Sequence, residues 1–201
     1  MHTVVVKNPT KVLFNDTGAV VVGNKLRYRS NYTTFQIIPL QEQDKQVTIK
    51  LPFPGFVRHP KVNSHYLFAM HSDEAFVNRL YAYKLSVDWT DVPECFLVRE
   101  NFVWYAMSKT DNHSVLVLSL VEGMLQVECI SLKSVPPVSV HTYTHPIHDN
   151  VIKMEVTVQS SGFCVYGTIM TDAQRMVVDG FVWCQSFQVS ESNAFRYLPT
   201  R

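Results

Sequence analysis

The side chain with the most chemistry to offer is Cys164, set in the run SSGFCVYG. A thiol there becomes a nucleophile when a neighbouring base takes its proton and a third group orients that base. His65 or His71 would serve as the base and Asp88 as the orienter, an acyl-transfer arrangement of the Cys-His-acid kind. The surroundings favour a quieter state, because Cys164 lies inside an apolar, strand-like run where a thiol is normally buried and inert. The histidines offer a second chemistry. His141, His145 and His148 precede Asp149, all residue types that bind metals. On a strand, His141, Tyr143 and His145 share a face, and at ~3.3 Å per residue the two histidines stand about 13 Å apart. One zinc needs both nitrogens within ~2.1 Å. Pro146 also holds His145 extended. His145 and His148, meeting across a turn, are left as weak metal candidates, and no cofactor is expected.

Other chemistries are poorly represented. There is no Gly-rich phosphate loop, GxSxG elbow, HExxH motif or carboxylate pair on a common face. Lys and Arg number 18 against 17 Asp and Glu, a net charge of +1 with no basic block. That removes the electrostatic footprint of nucleic-acid binding. RYRSNY, Arg27–Tyr32, interleaves arginines with aromatics but has no basic surround and reads as a solvated hairpin tip. No stretch approaches the ~18 apolar residues of a membrane span. Charged residues make up only 17% of the chain, against roughly 25% in typical domains. A surface so poor in charge is readier to meet a protein partner, and it leaves self-association open.

The start, MHTVVVKNPTKVLF, has no long apolar core and no small-residue cleavage site, so it does not read as a signal peptide. Cys95, Cys129, Cys164 and Cys184 form no CxxC pair. Buried free thiols in a reducing compartment, cytoplasmic or nuclear, are the expected state, with two disulfides as the alternative. Sequons at Asn15, Asn31 and Asn112 leave secretion open.

The elements that would position these residues are strands. Val47, Ile49 and Leu51 alternate with Thr48 and Lys50; Ile152, Met154, Val156 and Val158 alternate with Lys153, Glu155, Thr157 and Gln159. Gly23-Asn24 is a Gly-first pair suited to a type II′ turn between Val20–Val22 and Lys25–Tyr28, and Glu122-Gly123 joins Val115–Val121 to Met124–Leu132. Prolines 52, 54, 60, 93, 136 and 137 punctuate the links. Two stretches carry helical signals: His71–Leu85, with Phe76, Leu80 and Tyr83 on one face, and Thr171–Asp179, with Thr171 and Gln174 at capping-box spacing. β-propensity at Val77, Tyr81 and Tyr83 tips the first towards strand. About a dozen strands result, in one β-rich domain over residues 1–201.

Four stretches look like copies of one hairpin: LRYRS at Leu26, YLFAM at Tyr66, VWYAM at Val103 and CVYGT at Cys164. Recurrence on this scale marks stacked β modules, which usually bind rather than catalyse. Asn63–Pro93 resembles a kelch-type β-propeller blade, with Asn78, Leu80, Tyr81, Tyr83 and Trp89 at the matching places, and Thr17–Arg29 resembles the opening hairpin of one. Ala69-Met70, Ala106-Met107 and Gly167-Thr168 stand where that family has Gly-Gly. At ~50 residues per repeat the resemblance implies about four blades. Gly162-Phe163-Cys164 is similar to the first three positions of the G-x-C-G motif of chymotrypsin-like viral cysteine proteases; Val165 replaces the final glycine, whose turn aims backbone amides at an oxyanion. The expectation is therefore an all-β fold of antiparallel hairpin modules, propeller-like, with a closed barrel or double barrel as the alternative. The expected function is a non-enzymatic module that presents loops and strand edges to a protein partner. A cysteine protease and a barrel carrying a small apolar ligand are the alternatives.

Overall fold

Short connections between consecutive β-rich runs leave each strand little choice but to pair with the next one. The computed structural model describes residues 11–27, 30–41, 46–50, 57–72, 77–147, 150–172, 177–187 and 194–198. Among them are sixteen strands and no helix, in four separate antiparallel sheets of four strands, each in chain order. Sheet I holds β1 (Lys11–Phe14), β2 (Gly18–Arg27), β3 (Ser30–Pro39) and β4 (Val47–Lys50). Sheet II holds β5 (Val57–Val62), β6 (Tyr66–Ser72), β7 (Asn78–Lys84) and β8 (Glu94–Glu100). Sheet III holds β9 (Trp104–Met107), β10 (Ser114–Val121), β11 (Met124–Ser131) and β12 (Val138–Pro146). Sheet IV holds β13 (Asn150–Val158), β14 (Gly162–Asp172), β15 (Val177–Ser186) and β16 (Ala194–Leu198). A closed barrel needs one ladder that returns to its first strand. The described strands form four separate sheets, each with two edges, so among the described residues neither the barrel nor the double barrel is formed.

The repeat is real, but its phase differs from the four hairpin echoes. The second strands of the sheets start at Gly18, Tyr66, Ser114 and Gly162, 48 residues apart each time. One turn precedes each of them. Asn15 N–H donates to Gly18 O, Asn63 N–H to Tyr66 O and Gln159 N–H to Gly162 O, while Ser114 N–H donates to Asp111 O. In sheets I to III, a short carboxamide or carboxylate stiffens the turn. Asn15 Oδ1 accepts from the N–H of Thr17 (2.8 Å) and Gly18. Asn63 Oδ1 accepts from His65 and Tyr66, and Asp111 Oδ1 from His113. Asn and Asp favour such turns because their side chains reach the backbone two residues on. A second bond then fastens the third connection of each sheet to this turn: Leu40, Leu85, Leu132 and Phe187 donate their N–H to the carbonyls of Thr17, His65, His113 and Ser161.

Asp111 also accepts from Ser114 Oγ at 2.7 Å. The His113 N–H, then the Ser114 hydroxyl, hold its carboxyl below the usual carboxylate range. A folded pKa below the unfolded one contributes stability that is present above about pH 4 and lost as pH falls through the depressed folded value. Asp111→Asn should therefore leave stability near neutral pH almost unchanged, as Asn15 and Asn63 hold the same turn, and should flatten the acid limb of stability against pH. Asp111→Ala should cost about 1 kcal/mol. Urea melts at neutral and acid pH check both.

The chain divides into two compact units, Met1–Asn101 and Phe102–Arg201, where the sequence offers no composition break. In the first, Val20, Val22, Phe35 and Ile37 of sheet I pack with Leu67, Ala69 and Tyr83 of sheet II and with Leu85 and Trp89 of the β7–β8 connection, while Val47 and Ile49 flank this core. Phe35 meets Tyr83 edge-on, with ring centroids 5.6 Å apart. In the second, Leu116, Leu118, Leu125 and Val127 of sheet III pack with Met154, Val156, Val158, Phe163, Val165, Phe181 and Trp183 of sheet IV.

Several local expectations are corrected. Gly23-Asn24 is not a turn: β2 runs through it, with Gly23 opposite Thr34 and Asn24 opposite Thr33. β2 runs on to Arg27, which pairs with Ser30, because the longer ladder pairs Val20 with Ile37 and Val22 with Phe35 and outweighs a two-residue signal. Ile152 leaves the predicted alternation; a bulge between Val151 and Lys153 turns it outward, and Val151 packs on the core instead. The strand reading of Asn78–Leu85 holds, with β7 over Asn78–Lys84, while the helical signal in Thr171–Asp179 gives way to β14 at Thr171–Asp172 and β15 at Val177–Asp179. Residues 73–76 and 173–176 lie outside the described residues, as do Leu51, Pro52 and Pro54. The Glu122-Gly123 turn is present, with φ of 49° and 76°, the left-handed pair that a two-residue hairpin needs.

Candidate interaction surface

In the first unit, one end of sheets I and II is built from loops. At this end lie the turns at Asn15 and Asn63, the residues after β3, and the segment from Leu85 to Pro93 between β7 and β8. Trp89 joins the two sheets. It is fully buried in the shared core, and its Nε1 donates to Ser64 O at 3.1 Å. Its φ is +63°, a left-handed conformation that is uncommon for a bulky residue and persists where the surroundings over-determine it. Sheet I leaves room for the ring only because residue 18 is glycine: a Cβ there would stand 2.9 Å from Trp89 Cε3 and 2.5 Å from Ile38 O.

Around Trp89 the loop is tied to itself. Asp88 Oδ1 accepts from Thr90 Oγ1 at 2.8 Å, from Thr90 N–H and from Ser86 Oγ, and the Ser86 hydroxyl oxygen accepts from Asp91 N–H. The Thr90 hydroxyl, then its amide, lower the Asp88 pKa. On this rigid support stand apolar side chains in water. Val87 is 94% exposed, Phe14 80%, Val92 78% and Leu40 58%. Asp16, Asp88, Asp91 and Glu94 are exposed at the same end.

The residues considered for catalysis fall in both units. His65 and Asp88 lie at this loop end, where His65 Nδ1 is 2.8 Å from Ser64 Oγ. His71 is buried near the far end of β6, opposite Arg79 and Val57. Cys164 belongs to the second unit, and its sulfur is bonded to that of Cys184. A sulfur in a disulfide is not a thiolate, so the cysteine-protease reading loses its nucleophile. The same bond corrects the expectation of four free thiols; Cys95 (exposed) and Cys129 (half-buried) are free, and desolvation of the thiol raises the pKa of each.

The histidine set falls on β12. His141 is exposed, while His145 stacks on Trp183, centroids 5.4 Å apart and planes at 28°. Desolvation lowers the His145 pKa. His148 and Asp149 lie outside the described residues. Among the described residues no three His, Cys, Asp or Glu side chains gather as metal ligands.

The 48-residue recurrence of Asn15, Asn63, Asp111 and Gln159 is the signal that a first reading passes over. It was available in the sequence as Asn or Asp three before the second strand of sheets I to III, with Gln159 at the same place in sheet IV.

No family model matches the sequence, and no curated protein matches it. Among solved structures, the chain is similar to the β-propeller domain of the Trilobed protease from Pyrococcus furiosus, described as having an open velcro topology. Identity is 9%, the TM-score 0.62, and the match covers 96% of this chain and 57% of that one. It is also similar to the acylaminoacyl peptidase of Pyrococcus horikoshii, at 12% identity and TM-score 0.56, over 94% of this chain and 33% of that one. The chain thus spans little more than half of the first structure and a third of the second. Identities this low establish the fold class alone: an all-β chain of β-propeller-type sheets.

Proposed function

We propose that this chain is a non-enzymatic protein-interaction module, and that the loop end of its first unit receives a protein partner. One observation carries the reading: Phe14, Leu40, Val87 and Val92 are held in water by loops that are themselves hydrogen-bonded and anchored through Trp89. Burying one such side chain fully is worth about 1.5–3 kcal/mol, and a preorganised loop loses little entropy when it docks. The kelch-type reading of Asn63–Pro93 belongs to this proposal and rests on the burial of Tyr83 and Trp89 in one core.

The double substitution Val87→Glu/Val92→Glu tests it. Both side chains point into water, so the melting temperature should stay within about 4 °C of wild type, as about ±0.5 kcal/mol for each of two surface changes implies in a chain of this length. Proteins retained by immobilised wild-type chain should be lost. Leu120→Glu/Val121→Glu, at the β10–β11 hairpin, should retain them. Equal retention by all three chains would remove the loop end from consideration.

A further inference from the structure

Sheet IV carries a group that the interaction surface does not use. Cys164 on β14 and Cys184 on β15 are directly opposed, with Cα atoms 4.1 Å apart, close to the ~4.5 Å of a non-hydrogen-bonded antiparallel pair. Their neighbours Phe163, Val165, Phe181 and Trp183 point into the core of the second unit. Strand alternation therefore places both sulfurs on the opposite face, where Tyr166 is exposed. Both cysteines are half-buried and line an open cavity of about 270 Å³ with Gln159, Ser161, Gln185 and Ser186. Among the described residues no charged side chain lines it.

We propose that Cys164–Cys184 is a thiol-exchange site, reached through this cavity by a small thiol of the glutathione class. The thiolate of that molecule attacks either cysteine sulfur. A mixed disulfide forms as the Cys164–Cys184 bond breaks, and the electron pair leaves on the other cysteine, which takes a proton from water. A second small thiolate attacks the sulfur of the first small thiol in that mixed disulfide, and the protein cysteine departs. Two small thiols are oxidised to their disulfide, and the protein pair is reduced to two thiols.

Three observations carry this. An accessible sulfur is open to attack, whereas a core disulfide is reached only after unfolding. The pair lies outside the apolar core, so its opening exposes none of that core. The β14–β15 ladder runs from Gly162 opposite Ser186 to Asp172 opposite Val177 and holds the two strands in register without the bond. Cys95 and Cys129 serve as internal references, because burial raises both pKa values and depletes their thiolates.

The test incubates the folded full-length chain with mixtures of reduced and oxidised glutathione, quenches by alkylation, and maps the cysteines by peptide mass spectrometry. The expected result is reversible opening of Cys164–Cys184 within the cytosolic range of glutathione ratios. A glutathione adduct should appear on one of the two, and the far-UV circular dichroism should not change. Ser161→Tyr, whose added ring enters the cavity while the backbone carbonyl still accepts from Phe187, should slow the exchange several-fold and leave labelling of Cys95 unchanged. The proposal is overturned if the pair stays oxidised until denaturant unfolds the chain. It is equally overturned if oxidised glutathione cannot close the reduced pair, or if Ser161→Tyr exchanges as fast as wild type.

Discussion

Trp89→Ala should destabilise the first unit by about 3–5 kcal/mol, the usual cost of deleting a fully buried aromatic. That is a large share of the 5–15 kcal/mol that holds a typical domain together. The effect has three sources. The ring leaves a void between the two sheets, with Gly18 on one wall. The Ser64 carbonyl loses its donor. The segment Ser86–Asp91 loses the anchor that maintains a left-handed backbone at residue 89. Amide exchange should accelerate along β2, β3, β6 and β7, and partner retention should fall with it, because Val87 and Val92 flank the lost anchor. Trp89→Phe should recover much of the packing but not the hydrogen bond, leaving a deficit of about 1 kcal/mol beyond the volume change. Denaturant melts of the three chains give the numbers directly.

Trp183→Ala should cost a similar 3–5 kcal/mol in the second unit, since Trp183 is fully buried and meets Phe163 edge-on at 5.4 Å. The phenylalanine variants should separate the two tryptophans. Trp183 Nε1 is buried with no hydrogen-bond partner among the described residues. Removing that N–H therefore takes away a buried donor that is a burden to the fold, and Trp183→Phe should recover more of the alanine loss than Trp89→Phe does. His145 provides a second readout. Its imidazole lies on the indole and its pKa is lowered by burial. With alanine at 183 the ring gains solvent, and its pKa should climb back towards the ordinary value of about 6.5. A titration followed by NMR would record the shift. By the same linkage, the depressed His145 pKa stabilises the native state above about pH 6.5, and that contribution disappears as pH falls through the folded value.

The sequence revealed strands more readily than the joints between them. Period-2 alternation at Val47–Ile49 and Met154–Val158 placed those side chains on the correct face, because one buried side fixes the pattern. Gly23-Asn24 misled because a turn signal two residues long competes with a ten-residue ladder on both sides. Ile152 misled because a bulge shifts phase without any residue type that announces it. The four hairpin echoes were chosen by apolar texture, which slides along a strand. The turn residues Asn15, Asn63 and Asp111 cannot slide, since their side chains must reach particular backbone amides, and they keep a 48-residue period. The exposed apolar patch was hidden for a different reason. Val87 and Val92 look like core residues by type, yet both are exposed while Trp89 between them is buried. Cys164 was legible as a cysteine in a strand, but its partner, 20 residues on, depends on the β14–β15 register.

The central claim is that the loop end around Val87 contacts another protein. Its most direct measurement places a photo-reactive amino acid at position 87, and separately at position 120, in the otherwise unchanged chain, and irradiates cells that express it. The account predicts a discrete covalent adduct from position 87 that is absent from position 120 and absent again when Val92→Glu is added. No adduct at 87 together with a discrete one at 120 would contradict it.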